Sequence, residues 1–262
     1  MFLKKYKDGY KQFIDVALTK KVILGGTANG WLSIDRLGDA TFNIQLDKNT
    51  KFDMFDDNSV DCIYTSHMIE HMTLEDVENI FMESYRVLKK NGILRVVAPD
   101  ALKFITEYLK SPDDFGTHEE YAVGSGRTYK DEIMWWVNSL NLSDEHAKEC
   151  LMPHNLLCSE FVCYFDHPQY GHTFDKDICE NKLKEGTDKF LEWVTSHYDT
   201  SRPSGHMTAF YADKVIKIME KHGFNKTYNM KFRESNFKEI TWNETIDLEL
   251  RKTISFYVEA IK

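Results

Sequence analysis

Positive charge in excess is the first thing this 262-residue sequence lacks: 33 lysines and arginines stand against 42 aspartates and glutamates, a formal net charge of -9. That balance argues against non-specific binding to nucleic acid, whose phosphates demand a basic face. A small or neutral substrate suits the chain better than a polyanion. Long apolar runs are missing too. Nothing approaches the roughly 20 apolar residues of a membrane span, and the first residues mix lysines with scattered apolar side chains, unlike a signal peptide. The expectation is a cytoplasmic protein with no membrane partner. Cysteine is scarce and odd in number, five in all, which reads as free thiols in a reducing compartment. Repeats and low-complexity segments are absent. What is present, 42% apolar and 29% charged residues, is the composition of a globular chain with a sizeable core. The oligomeric state cannot be read from it.

Residues 2–20 read as a short helix. Lys21-Val22-Ile23-Leu24 is a short apolar strand running into Gly25-Gly26, and Trp31-Leu32-Ser33-Ile34-Asp35 is a second strand ending in a carboxylate. Residues 42–46 are a third, and Val60-Asp61-Cys62-Ile63-Tyr64 a fourth, after the turn cluster Asp56-Asp57-Asn58-Ser59. Thr73 with Asp76 resembles a capping box. The helix it opens carries Val77, Ile80, Phe81, Tyr85 and Leu88, and Asn91-Gly92 is its expected end. Residues 93–98 form a strand closed by Pro99. Residues 101–205 lose this rhythm; they hold most of the histidines, four of the five cysteines and the pair Trp135-Trp136. They read as a helical insertion or lid. An amphipathic helix over 212–222, stopped by Gly223, precedes two final strands over 224–230 and 254–260, an antiparallel pair. The order predicts an α/β fold, doubly wound, with a mainly parallel seven-stranded sheet. Residues 1–100 are its cofactor-binding half, 101–205 the insertion and 206–262 the completing helix and strands.

A strand ending in glycine at the carboxyl edge of a parallel sheet lets a ligand approach the backbone, and a carboxylate ending the next strand can take two ribose hydroxyls. Gly25, Gly26 and Asp35 fit those roles, though a plain turn and an exposed strand-end carboxylate would account for them equally. The stretch Phe55-Asp56-Asp57-Asn58-Ser59-Val60-Asp61-Cys62-Ile63-Tyr64-Thr65-Ser66-His67-Met68-Ile69-Glu70-His71 is more specific. It resembles the fourth-strand region of class I S-adenosylmethionine-dependent methyltransferases, whose pattern is roughly "PF-x-D-N-S-x-D-x-I-x-x-S-H-x-x-E-H". Glu83-Ser84-Tyr85-Arg86-Val87-Leu88-Lys89-Lys90-Asn91-Gly92-Ile93-Leu94, through Pro99-Asp100, continues the likeness with "E-x-x-R-V-L-K-x-G-G". Gly205-His206, His222-Gly223-Phe224 and Ser255-Phe256-Tyr257-Val258-Glu259-Ala260 are similar to the closing helix and strands of the same family.

The resemblance implies S-adenosylmethionine as cofactor and methyl transfer to a small-molecule, sugar-like acceptor. It implies Gly25 and Gly26 against the methionine part, Asp35 on the ribose, Asp47 at the adenine amino group, and Ser66 and His67 lining the pocket. The first loop departs from the family: Leu24-Gly25-Gly26-Thr27-Ala28-Asn29-Gly30-Trp31 is short and lacks Gly-x-Gly spacing. An alternative follows, a methyltransferase-like fold that binds the cofactor or another nucleotide without methyl transfer. The absence of G-x-G-x-x-G speaks against a nicotinamide enzyme.

Transfer to a hydroxyl requires alignment and removal of a proton. A histidine suits that task, and His67, His71 and His206 are candidates, with His67 favoured because the fourth strand fixes its place. Glu70 orients a histidine, binds substrate, or simply serves a helix N-terminus. Cys150, His154, Cys158, Cys163, His167, His172 and Cys179 supply metal-type ligands in the insertion. They lack a paired C-x-x-C and read rather as lid packing, so no metal site is assigned. Trp135-Trp136, Tyr121, Tyr129 and Phe161 offer an acceptor-pocket lining, but aromatic residues of this kind are more often core.

Overall fold

The computed structural model describes residues 20–36, 38–118, 126–140, 142–162, 173–198 and 205–262. The expected helix over 2–20 lies almost wholly outside them. Seven strands form one sheet: β1 (Lys21–Leu24), β2 (Leu32–Asp35), β3 (Phe42–Asn43), β4 (Val60–Ser66), β5 (Leu88–Pro99), β6 (Lys226–Met230) and β7 (Ser255–Ile261). Their order is β3-β2-β1-β4-β5-β7-β6. The first five run parallel, while β7 is antiparallel to both β5 and β6. β1 is therefore interior, as the expected topology requires.

The central strands are buried on both faces, and their sequences accordingly read as nearly continuous apolar runs. Val22, Leu24, Ile34 and Ile63 point to one side, where they share a core with Val77, Ile80, Phe81, Val215 and Met219. These last belong to the helices α1 (Leu74–Val87) and, near the C-terminus, residues 212–221. Ile23, Cys62 and Tyr64 point to the other side, onto Trp31, Ile240 and Ile246. The alternation follows from the two-residue period of a strand.

Thr73 caps α1 as a full capping box: its hydroxyl takes the Asp76 N–H, and Asp76 reaches back to the Thr73 backbone. The expected stop at Asn91-Gly92 is corrected. The helix ends at Val87, and the fully buried Leu88 is already extended and opposite Val60 in β4. Ile93 is the residue opposite Cys62, so Lys89 to Gly92 bulge from the ladder. Asn91 takes a positive φ of 65° there, a conformation asparagine tolerates. Burial against a neighbouring strand overrides local helix propensity at Leu88.

Residues 101–198 contribute α2 (Ala101–Lys110), α3 (Tyr129–Ser139), α4 (Asp144–Cys150), α5 (Pro153–Val162), α6 (Lys176–Glu185) and α7 (Thr187–Thr195). Pro153 separates α4 from α5, as a proline lacking an N–H should. These helices have a core of their own, which includes Cys150, Leu157, Cys158, Phe161, Cys179 and Phe190. The described cysteines are buried and outside any disulfide, and Cys158 and Cys179 approach to 3.8 Å between sulfurs. His154 gives its ring hydrogen bond to the Phe174 carbonyl. This is packing. Tyr129 and Phe161 belong to that core, whereas Trp135 is exposed; Cys163, His167, His172 and Tyr121 lie outside the described residues. The chain then returns through α8 (Ala212–Lys221) and, between β6 and β7, α9 (Lys238–Trp242). Among the described residues no helix is long and apolar enough to cross a membrane.

Candidate active site

Register assembles the site. Leu24 in β1 stands opposite Ile34 in β2 and Thr65 in β4. One residue further on, Gly25, Asp35 and Ser66 end their strands at one level along the carboxyl edge, where open α/β sheets bind ligands. Gly25 donates its backbone N–H to the Ile34 carbonyl at 3.0 Å and holds a φ of 71°. The positive φ favours glycine, and a Cβ there, 2.7 Å from the Met68 Cγ, would have to displace that side chain. Gly26 has ordinary room, with only the Ile23 Cδ1 at 3.8 Å from an added Cβ.

Asp35 is half-buried at the end of β2. Asp47 lies further out and holds its own turn: its Oδ1 accepts the Asn49 N–H at 2.8 Å, and its N–H goes to the Thr50 hydroxyl. Ser66 accepts from the Arg251 guanidinium at 2.8 Å. Gly25, Asp35 and Ser66 are thus brought together, and Asp47 is placed on the neighbouring loop.

After Ser66 the chain turns sharply. His67 adopts a φ of 51°, uncommon for a residue with a Cβ and typical of functional turns. Its Nε2 shares a 2.7 Å hydrogen bond with the Ser255 hydroxyl, and its Nδ1 stands 3.5 Å from Glu70 Oε1. A single 3-10 turn, Ile69–His71, follows and brings Glu70 and His71 beside it. The Glu70 backbone carbonyl receives the N–H groups of Met207 and Thr208, which ties the returning chain to this turn. His206 is thereby carried to the same place, its ring 5.0 Å from that of His71.

Burial sets the protonation states. Glu70 is 3% exposed, and among the described residues neither of its carboxylate oxygens accepts a hydrogen bond from another residue. Burial pushes its pKa up to about 8. Burial, with His71 alongside, holds His206 down at about 3, although its hydrogen bond to the Glu160 carbonyl opposes the shift. His67 is lowered well below the usual histidine value by burial, and Arg251, His206 and His71 add to that. The imidazoles of His67 and His206 are neutral at neutral pH. Glu160, from the insertion, is likewise pushed up to about 8 by burial, with Glu70 contributing.

Residues 34–96, from the end of β2 to the middle of β5, match the family model of a methyltransferase domain. No curated protein matches the chain. Among solved structures, an S-adenosylmethionine-dependent methyltransferase from Archaeoglobus fulgidus is 13% identical over 99% of this chain and 94% of that one, with a TM-score of 0.41. A second, from Mesorhizobium loti, is 12% identical over 98% of both chains, with a TM-score of 0.39. Glu160 and Arg251 reach this edge from distant segments, through His206 and Ser66 respectively, and carry no local sequence signal. The seven-stranded mixed sheet with helices on its faces is a class I methyltransferase-like fold, and residues 34–96 within it are similar to a methyltransferase domain.

Proposed function

We propose that this protein transfers the methyl group of S-adenosylmethionine to a small-molecule acceptor with a sugar-like hydroxyl or amine. The observation that carries the reading is the shared level of Gly25, Asp35 and Ser66 at the carboxyl edge, set by the β1 register. These residues fit the cofactor. Gly25 presents bare backbone to its methionine part, with Gly26 beside it, and the Asp35 carboxylate accepts from two ribose hydroxyls. Asp47 would meet the adenine amino group. Met68 covers Gly25 with an unbranched side chain, and such a chain swings aside at small cost.

Bound there, S-adenosylmethionine supplies a methyl carbon that is already electrophilic. The protein has then to align the acceptor and take its proton. His67 is the proposed base, with the Ser255 hydroxyl fixing its ring and Glu70 3.5 Å away. The contact between the Glu160 carbonyl and His206 supports an acceptor side closed by the insertion.

Calorimetry with S-adenosylmethionine and S-adenosylhomocysteine tests the reading. Asp35→Ala should weaken both at least about tenfold, since each charge-assisted hydrogen bond is worth about 1.5–3 kcal/mol. Unchanged affinity in a folded variant would overturn it. A second reading, cofactor binding without transfer, draws on the short first loop and on the Met68 side chain over Gly25. Formation of S-adenosylhomocysteine on adding acceptors, followed by mass spectrometry, separates the two.

A further inference from the structure

We infer that Glu70, His71 and His206 form a site for a zinc-type divalent metal ion, in which two imidazoles and one carboxylate leave a coordination position open toward the acceptor. One ligand atom from each residue can be chosen so that all three lie within 4.8 Å of one another. Zinc with nitrogen and oxygen ligands at about 2.0–2.2 Å needs them about 3.3–3.5 Å apart. Rotamer adjustments of under an ångström or so suffice.

Three features distinguish the cluster from a chance meeting of polar side chains. First, both histidines are anchored as metal ligands are. His71 donates Nδ1–H to the Gly205 carbonyl at 3.2 Å, and His206 donates Nδ1–H to the Glu160 carbonyl at 2.8 Å. Each proton is thereby fixed on Nδ1, and Nε2 becomes the lone-pair side; that of His71 faces Glu70 Oε1 at 4.0 Å. Second, Glu70 is a buried carboxylate whose oxygens take no hydrogen bond from another described residue. Leaving such a group unsatisfied is costly. Arg251, whose charge reaches Glu70, spends a hydrogen bond on Ser66. A cation between Glu70 and the two imidazoles answers that need. Third, the ligands come from two segments far apart in sequence, pinned by the Met207 and Thr208 N–H bonds to the Glu70 carbonyl. The geometry does not depend on one flexible loop.

Two imidazoles with one carboxylate are borderline donors, suited to zinc, cobalt or manganese; magnesium and calcium prefer all-oxygen shells. Two histidines and a glutamate holding zinc with one open position is a known catalytic arrangement. Resting on the methyl-transfer reading, the open position would take the acceptor hydroxyl. The ion would lower that hydroxyl's pKa and its proton would pass to His67; as the oxygen bonds to the methyl carbon, the carbon–sulfur bond would break, its electron pair returning to sulfur and S-adenosylhomocysteine leaving.

The metal site is testable without the reaction. Untagged protein stripped with chelator should bind one equivalent of zinc by calorimetry, with a rise in melting temperature. Cobalt should bind there without thiolate charge-transfer absorption. Glu70→Gln keeps the backbone carbonyl and the shape of the side chain. It and His206→Ala should each weaken zinc at least about a hundredfold, beyond the usual loss when a group that only hydrogen-bonds to a ligand is changed. Cys158→Ala should leave binding intact. Zinc affinity unchanged in folded Glu70→Gln, or lost in Cys158→Ala, overturns the proposal, as does stripped wild-type protein that binds no zinc. Should His206→Ala fail to fold, Glu70→Gln decides alone. Zinc binding without any S-adenosylmethionine binding would sink the methyl-transfer reading and leave the metal site standing; the reverse outcome would do the opposite.

Discussion

The Met68 side chain lies against Gly25 so closely that a Cβ on residue 25 would be 2.7 Å from its Cγ and 2.8 Å from its sulfur. The strand-end glycine and the turn after β4 therefore behave as one unit, and a change at either moves the other.

Gly25→Ala is the sharpest probe of that unit. Alanine at a φ of 71° costs about 1–2 kcal/mol, and the new methyl group must also displace Met68. Thermal or urea unfolding should show a loss of about 1–3 kcal/mol, with cofactor affinity reduced severalfold or more in calorimetry. A Gly25→Ala protein as stable as wild type and equally able to bind would mean that this edge is not the cofactor site.

Arg95 should prove the most sensitive charge in the sheet. It is wholly buried in β5, ion-paired with Asp247 and, at 2.9 Å, with Glu259. Its guanidinium also donates to the Glu234 carbonyl, while the Tyr64 hydroxyl donates to the Ile246 carbonyl at 2.7 Å. The network fastens residues 231–247 over the sheet face that carries Tyr64. Arg95→Met strands two buried carboxylates, so a loss of about 3–5 kcal/mol is expected. Denaturant midpoints measure it; a loss below about 1 kcal/mol would show that Asp247 and Glu259 find other partners.

For His67, asparagine is a better replacement than alanine, because it tolerates the left-handed backbone that the turn demands. If His67 removes the acceptor proton, His67→Asn should lower turnover about a hundredfold or more, with cofactor affinity changed little. Steady-state kinetics and calorimetry read the two separately. Normal turnover would move the proton to another group at this edge.

What the sequence revealed was local. The Thr73 and Asp76 pairing, the strand-end Gly25 and Asp35, and the run from Ser66 to His71 all act within a few residues of themselves, so spacing exposes them. The premature end of α1 at Val87 was hidden because Leu88 is a good helix former whose extended shape is dictated by Val60 across the sheet. The juxtaposition of Glu70 with His206, and the pairing of Arg95 with Asp247 and Glu259, join residues more than a hundred positions apart. No periodicity announces such contacts. The insertion is rich in cysteine and histidine, yet the described residues whose ligand atoms come within 4.8 Å of one another are Glu70, His71 and His206. Histidines at strand ends were visible as candidates; that two of them flank a carboxylate was not.

The family-like "E-x-x-R" at Glu83 and Arg86 is a structural clamp with a definite pH signature. Glu83 accepts the Phe52 N–H at 2.8 Å and two Arg86 hydrogen bonds at 3.0 and 2.7 Å, while Arg86 also reaches Asp57 at 2.6 Å. The clamp binds the loop before β4 to α1. Burial alone would raise the Glu83 carboxyl; the bonds from Arg86 and the Phe52 N–H outweigh it and hold the carboxyl below its usual value. A carboxylate depressed in the folded state stabilises fully above its unfolded pKa, about 4.3, and loses that contribution as pH falls through the folded value. Glu83→Gln should therefore cost about 1–3 kcal/mol near pH 7, with the gap to wild type narrowing as pH falls below about 4. Urea unfolding at several pH values measures both. A gap that stays constant down to pH 3 would show that Glu83 acts through its shape and not its charge.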